Sequence, residues 1–243
     1  MIDFQLILEK LPAFFGGGDG HAVMSTRDGL VLTLELLFIS LLLGMAMAVP
    51  MALMRVSKNR LASGFVRVYS YIFRGTPLLV QLFIIYYGLA QFGWVRDSWV
   101  WNYLQDAYFC AILAFTLNTA AYTTEIIAGQ IRNTHWGEIE AAQAMGMSKW
   151  LMIRRIVLPS ALRRALPAYS NEVIMMLQST AIAGLVTLAD ITGVARRIYA
   201  DSYMAFEPFL TAAAIYLALT FLLVWLMKRA EKRWLAYLAP RKH

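Results

Sequence analysis

Five stretches of the chain are apolar over lengths that suit a helix crossing a membrane. A helix needs about 20 mostly apolar residues to span the hydrocarbon core of a bilayer. The five stretches cover approximately residues 29–54, 76–94, 107–129, 167–189 and 208–227. The pattern therefore predicts an all-α membrane protein in which five transmembrane helices form one domain, residues 29–229.

Short segments are predicted at both ends of this domain. The stretch from Phe4 to Phe15 is apolar, but Gly16 to Gly18 interrupt it before it is long enough to cross a bilayer. We expect a short helix lying at the membrane interface there, within an N-terminal segment of residues 1–28. At the other end, residues 230–243 form a basic tail.

The charged residues predict how the chain is oriented. Only 15% of the residues are charged and 60% are hydrophobic, whereas a soluble domain carries about 25% charged residues. Seventeen of the 22 lysines and arginines lie in segments 55–74, 130–166 and 228–243. Because cytoplasmic loops carry the excess of basic residues, we expect the N-terminus outside and the C-terminus in the cytoplasm. This distribution explains the formal net charge of +7 by membrane topology alone, without a nucleic-acid partner.

The segment 130–166 is too long for a tight connection between two spans. Glu140, Ala141 and Ala142 favour a helix, which Gly146 interrupts or ends. A second short helix can follow from Trp150 to Val157, and Pro159 marks a boundary. The mixed surface of this helix–glycine–helix unit suits docking into a groove on a partner. The alternative is an amphipathic loop that only rests on the lipid headgroups.

The same segment resembles the EAA loop of permease subunits in binding-protein-dependent ABC importers. The resemblance rests on the spacing E-A-A-x-x-x-G-x9-I-x-L-P, which the chain matches at Glu140, Ala141, Ala142, Gly146, Ile156, Leu158 and Pro159. Two further stretches, 73–82 and 118–127, are similar to the permeases for polar amino acids. The similarity is greatest to the M subunits of the histidine/lysine/arginine/ornithine systems and to opine permeases.

This resemblance implies a fold, a function and a set of partners. The fold would be that of type I (MetI-like) permeases, and the chain would form a translocation path in a bacterial inner membrane. The partners would be a dimer of cytoplasmic ATPase subunits, a second and non-identical permease, and a periplasmic amino-acid-binding protein. The motif residues named above would couple the chain to the ATPase. ATP and Mg²⁺ would bind that partner, because the chain lacks a Walker-type glycine loop and would itself be non-catalytic.

Polar residues within the predicted spans are candidates for lining the path, since such residues usually face the bundle interior or a wet cavity. A zwitterionic substrate needs donors for its carboxylate and acceptors for its ammonium group, and a cationic side chain would favour a carboxylate such as Glu125. The alternative is that these groups only hydrogen-bond between helices. The predicted path residues are Asn118, Tyr122, Glu125, Gln178, Ser179 and Thr180.

One departure from the family pattern bears on the substrate. Many members of this subfamily carry a lysine in the fourth span, where this chain has Gln178. The resemblance therefore implies basic amino acids rather than glutamine or glutamate, with another polar amino acid or an opine as the alternative.

Two other classes of protein, membrane-embedded enzymes and membrane scaffolds, fit the sequence less well. A membrane-embedded enzyme needs paired catalytic groups at compatible depths, and no histidine and no Ser/His or paired-Asp arrangement falls within the spans. A membrane scaffold could use the inner loop to recruit a partner, but it has no need of polar side chains inside two spans.

Overall fold

The computed structural model describes residues 4–16 and 28–235, and the regular elements in those ranges are helical. The first six helices are α1 (Phe4–Phe14), α2 (Leu30–Val56), α3 (Arg60–Gly75), α4 (Leu78–Phe83), α5 (Gly93–Arg96) and α6 (Trp101–Leu104). The other six are α7 (Ala107–Arg132), α8 (Trp136–Ala144), α9 (Lys149–Met152), α10 (Leu158–Thr180), α11 (Ile191–Ser202) and α12 (Phe206–Trp234).

Helices α2 and α7 form the centre of the bundle. Leu36 and Leu37 of α2 are fully buried in the same core cluster as Ala114 and Phe115 of α7. The two helices approach closely at Gly44, where an added Cβ would lie 2.3 Å from Cγ2 of Thr119. A small residue at a helix crossing allows this backbone approach, as in other membrane helix pairs.

The second predicted span is broken. Helix α3 packs along α7 and ends at Gly75, and α4 begins at Leu78 after a bend of 102°. The segment continues as a π-helical turn over Ile84–Gly88 and a 3₁₀ turn over Leu89–Gln91. The sequence predicted a cytoplasmic location for residues 55–74, which stays a prediction, and the structure shows that Arg60–Gly75 of this stretch forms helix α3. Helix α3 is strongly amphipathic, so it buries one face against the bundle although its composition is polar.

The fourth predicted span begins earlier than expected. The sequence placed its start near Pro167, but α10 runs from Leu158 through Pro167 to Thr180. Pro159 stands in the first turn of α10, where its missing N–H is tolerated. A π-helical turn over Ile153–Val157 immediately precedes it. Because Pro159 has no N–H group to donate, the helix changes from π to α just before it. The helical segment does not end at Pro159.

Helix α11 lies between α10 and α12 and is joined to the start of α2. Asp190 accepts hydrogen bonds from the backbone N–H groups of Thr192 and Gly193, which caps α11. The N–H of Gly29 donates to the carbonyl of Ala189 over 2.6 Å, and Arg197 forms a salt bridge with Asp28. These contacts join α11 and the residue before its cap to the residues just before α2.

Within residues 4–16 and 28–235, three helices are long and apolar enough to cross a membrane: α2, α7 and α12. The bent pair of α3 and the segment Leu78–Gln91 would make a fourth. The predicted number of five and the predicted orientation are therefore not confirmed, and α10 would have to supply the fifth span. The expected short helix near the N-terminus is present as α1. Residues 17–27 and most of the basic tail, from 236 onwards, lie outside the described residues.

The close approach at Gly44 gives a prediction about stability. Gly44→Ala should lower the free energy of unfolding by about 1–3 kcal/mol, because the new methyl group meets Thr119 in a packed interface. Thermal unfolding in detergent, followed by circular dichroism, measures this. Gly64→Ala is the control: its Cβ would meet nothing within 4 Å, so the variant should gain up to about 1 kcal/mol from helix propensity. Equal shifts in the two variants would contradict the packing argument.

Candidate functional site

A cavity of about 300 Å³ opens at the break between α3 and α4. We call it the substrate cavity. The break contributes Arg74, Gly75, Thr76, Pro77 and Leu78, α7 contributes Asn118 and Tyr122, and α10 contributes Glu172, Met175, Met176 and Ser179. Asn118 lies near the middle of α7, so the break and the cavity lie at about half the length of that helix.

Two amide side chains satisfy the backbone groups that the break exposes. The Nδ2 of Asn118 donates to the carbonyl of Phe73 over 3.0 Å and to Oε1 of Gln81 over 3.2 Å. The Nε2 of Gln81 donates to the carbonyls of Phe73 and Thr76 and to the Thr76 hydroxyl, at 2.8, 3.0 and 2.8 Å. Non-helical backbone inside a membrane needs such internal partners. Asn118 therefore has a structural role at the cavity wall.

The cavity carries groups of opposite charge on different walls. The guanidinium of Arg74 lies over the ring of Tyr122, 5.0 Å from its centroid, and the Tyr122 hydroxyl donates to the Arg74 carbonyl over 3.4 Å. Glu172 faces the same cavity from α10 and is 5% exposed. Within the described part of the chain, Glu172 forms no salt bridge shorter than 4 Å. The cavity thus offers a cation and a carboxylate to one ligand.

A larger cavity, of about 590 Å³, adjoins the first and shares Arg74, Gly75 and Thr76 with it. We call it the arginine cavity, because its lining also includes Arg55, Arg67, Ser70, Tyr71, Ile72 and Glu125. Glu125 lies here and accepts a hydrogen bond from Nε of Arg55 over 2.7 Å. The sequence predicted a cationic substrate as the partner of Glu125. In the structure, the partner of the Glu125 carboxylate is the guanidinium of Arg55.

The three predicted residues at the end of α10 have different environments. Gln178 is exposed on the helix surface. Ser179 lines the substrate cavity and donates to the carbonyl of Met175. Thr180 is fully buried and donates to the carbonyl of Leu177 over 2.6 Å. Of the six predicted path residues, the structure brings Asn118, Tyr122 and Ser179 together around one cavity and puts Glu125 in the adjoining one.

Residues 130–166, which the sequence predicts to couple the chain to an ATPase and which we call the coupling segment, contain a turn between two short helices. Gly146 has a φ of +71°. Its N–H donates to the carbonyl of Gln143, and the N–H of Met147 donates to the carbonyl of Ala142. This pair of bonds is the Schellman arrangement, in which a residue of positive φ ends a helix. The helix–glycine–helix prediction is confirmed at this position, and the reason for glycine is its backbone conformation.

The coupling segment presents large apolar side chains to solvent. Trp136, Met145 and Trp150 are 75%, 74% and 65% exposed. Glu140 and Ala141 are exposed as well, whereas Ala142 is buried. The remaining motif residues, Ile156, Leu158 and Pro159, are half-buried where the segment joins α10. Large apolar side chains exposed on one short segment are typical of a protein–protein contact.

One arginine closes the base of this segment. Arg164 of α10 donates to the carbonyl of Gln130 over 3.2 Å and to the hydroxyl of Thr134 over 3.0 Å, both at the C-terminal end of α7. It also donates to Ser160 on its own helix. The end of α7 and the start of α10 are therefore joined, and the coupling segment projects from a closed base.

Sequence reasoning missed four residues of this region: Gln81, Arg74, Arg67 and Arg55. A signal was present for the first two. Gly75 and Pro77 are unfavourable inside a helix, so an amide and a cation beside them were candidates for stabilising a break. Arg67 and Arg55 gave no such signal, because the positive-inside pattern already accounted for them.

The chain is similar to known proteins over most of its length. The chain matches the family of binding-protein-dependent transport system inner membrane components over residues 40–236. It is 48% identical over 231 residues to the nopaline transport system permease protein NocM of Agrobacterium fabrum, covering 95% of this chain and 91% of that protein. It is 48% identical over 213 residues to the histidine/lysine/arginine/ornithine transport system permease protein HisM of Escherichia coli, covering 87% and 90%.

The chain also resembles solved transporter structures in its fold. A crystal structure of an amino acid ABC transporter with histidines superimposes with a TM-score of 0.80 at 33% identity, covering 96% of this chain and 99% of the other. An inward-facing MetNI methionine ABC transporter gives a TM-score of 0.67 over 96% and 99% of the two chains. Its identity of 17% shows the fold alone.

The amide pair at the break gives a second prediction. Asn118→Leu and Gln81→Met should each lower the free energy of unfolding by about 1–3 kcal/mol. Either amide alone still covers the Phe73 carbonyl, so the double variant should lose more than the sum of the two singles. Unfolding in detergent measures all three. Gln178→Met, at an exposed position, should change stability by less than about 0.5 kcal/mol. Simple additivity would contradict the shared role of the two amides.

Proposed function

The chain belongs to the family of binding-protein-dependent transport system inner membrane components, and we propose that it carries basic amino acids through the substrate cavity. It is a permease subunit of an ABC importer of amino acids or opines in an inner membrane. The finer assignment to arginine, ornithine, lysine or histidine is supported by the relative that transports these compounds and by the charges at the cavity.

The observation that carries this assignment is the pairing of Arg74 and Glu172 across one cavity. A free amino acid has a carboxylate that favours an arginine and an ammonium group that favours a carboxylate. A cationic side chain adds a second positive charge, for which Glu172 is the cavity's acid, and it forms no salt bridge within 4 Å among the described residues. The sequence predicted Glu125 for this role. We propose Glu172 instead, because Glu125 already has Arg55 as its partner.

The relative NocM supports an opine as the second candidate. An opine of this kind is an arginine whose α-nitrogen carries a carboxyalkyl group, so it retains the guanidinium that Glu172 would bind. The same cavity could therefore hold the arginine part of either substrate.

We further propose that the chain crosses the membrane five times, with α10 as the fifth span. The excess of basic residues near the C-terminal ends of α2, α7 and α12 supports a cytoplasmic location for those ends. The coupling segment would then lie in the cytoplasm, where its exposed Trp136, Met145 and Trp150 would dock into an ATPase subunit. ATP and Mg²⁺ would bind to that partner.

The proposed assembly contains two permeases, two ATPase subunits and a periplasmic binding protein. One bundle of this size is small for an enclosed pathway, so a second permease would complete it. The similarity to M-type subunits favours a non-identical partner. ATP binding and hydrolysis would shift the assembly between outward- and inward-facing states, and the substrate would follow the change in access.

The role of Glu172 is tested by comparing two carboxylates. In proteoliposomes containing the assembled importer, Glu172→Gln should lower arginine uptake about tenfold and uptake of a neutral amino acid much less, because only arginine loses a charge-assisted bond. Glu125→Gln should lower both to a similar extent, since it breaks the ion pair with Arg55. Preferential loss of arginine uptake in Glu125→Gln would instead support the carboxylate that the sequence predicted.

The coupling segment is tested at its glycine. Gly146→Ala should reduce the amino acid imported per ATP hydrolysed, because a positive φ costs a residue with a Cβ about 1–2 kcal/mol although the methyl group would meet nothing within 4 Å. Gly146→Asn should retain coupling, since asparagine tolerates this conformation. Gly137→Ala adds a methyl group to the same segment without a positive φ and is the control. Normal coupling in Gly146→Ala would contradict the proposed role of the turn.

A further inference from the structure

The arginine cavity differs in charge from the substrate cavity. Its lining contains three arginines and one glutamate, a formal charge of +2. Arg55 is neutralised by Glu125 at 2.7 Å. Among the described residues, neither Arg67 nor Arg74 forms a salt bridge. Two guanidinium groups therefore line this space without a carboxylate of the described residues within 4 Å of either, although Arg74 also interacts with Glu172 across the substrate cavity.

A buried hydroxyl on the same wall also lacks a partner. Ser70 is 3% exposed, lines the arginine cavity, and its hydroxyl forms no hydrogen bond with the described residues. It lies on α3 between Arg67 and Arg74, so it belongs to the same wall as the unbalanced arginines. Its oxygen has almost no accessible surface, so Ser70 forms part of the wall behind the two arginines and is not a contact for a ligand.

The arginine cavity adjoins the substrate cavity, and this position indicates which ligand it would hold. The substrate cavity and the arginine cavity share Arg74, Gly75 and Thr76, so a ligand in the first lies directly beside the second. At about 300 Å³, the substrate cavity is at the lower end of the range for small-molecule sites, about 300–1,000 Å³. A substrate larger than an amino acid would need the adjoining space, and only its negatively charged part would be stabilised there.

We propose that the arginine cavity binds the additional carboxylates of an opine-type substrate, whose guanidinium lies at Glu172 in the substrate cavity. Arg67 is the residue that distinguishes such a substrate from a plain amino acid, because it lines the arginine cavity and not the substrate cavity, whereas Arg74 lines both. Arg67 also borders a third cavity, beside Lys58 and Arg60. A guanidinium binds a carboxylate through two parallel hydrogen bonds, which gives both affinity and orientation. This inference rests on the proposed transport function.

The test compares two ligands that differ only in the carboxyalkyl group. Radiolabelled arginine and radiolabelled nopaline, which is arginine with a dicarboxypropyl group on its α-nitrogen, are bound to the assembled importer in phosphatidylcholine nanodiscs, without the external binding protein. Arg67→Gln should weaken nopaline binding about tenfold and change arginine binding less than about twofold. Arg67→Lys should weaken nopaline binding by less than Arg67→Gln, because it retains the charge but not the bidentate geometry.

The control is Arg60→Gln. Arg60 is exposed on the same helix and lies outside both cavities, so its loss should change neither affinity. If Arg67→Gln weakens the binding of both ligands equally, or of neither, or if the unaltered importer does not bind nopaline, the inference is overturned. If the cavity instead holds a lipid phosphate, Arg67→Gln will reduce retention of phosphatidylglycerol and leave nopaline binding unchanged, which also overturns it.

The two proposals can fail separately. An unaltered importer that takes up neither arginine nor nopaline with its binding protein would remove the proposed function and the inference together. Arginine uptake by the unaltered importer, combined with equal nopaline binding by Arg67→Gln and the unaltered protein, would remove only the inference.

Discussion

The rest of the site depends on the break in the backbone between α3 and α4. A membrane interior provides no water for exposed N–H and C=O groups, so a broken helix persists there only if side chains satisfy the freed groups. Asn118 and Gln81 do this with five hydrogen bonds to the break and to each other. Pro77 reduces the demand, because it has no N–H. The break in turn places Arg74 beside Tyr122 and opens both cavities.

This constraint also divides the work among the polar side chains. Asn118 commits the N–H groups of its amide to Phe73 and Gln81, so toward a ligand it can offer only its Oδ1 acceptor. Under the proposed function, selection among substrates would fall to the charged groups around them, Arg74 and Glu172 in one cavity and Arg67 in the other. Discontinuous helices recur at the substrate sites of other transporters for the same reason, since the backbone can be irregular only where it is buried or lines a cavity.

The sequence predicted the features that follow from local rules. The spans corresponding to α2, α7 and α12 could be recognised from apolar length, and the turn at Gly146 from a glycine between two helix-forming runs. The start of α10 could not be predicted, because Arg163 and Arg164 are charged and resemble part of a polar loop. In the structure, Arg164 lies within the helix and is hydrogen-bonded to the end of α7. The partner of Glu125 was also beyond reach: Arg55 is 70 residues away, and only the packing of α2 against α7 brings them together.

The closed base of the coupling segment has a consequence for how such proteins diversify. Because Arg164 joins the two helices from which the segment projects, residues between Thr134 and Val157 can change without disturbing the helices that line the cavities. The surface proposed to meet a motor subunit and the surface proposed to meet a solute would then be separable units of one chain. A duplicated gene could retain its motor while its cavities acquire a new cargo, so that several importers in one cell share a single type of ATPase.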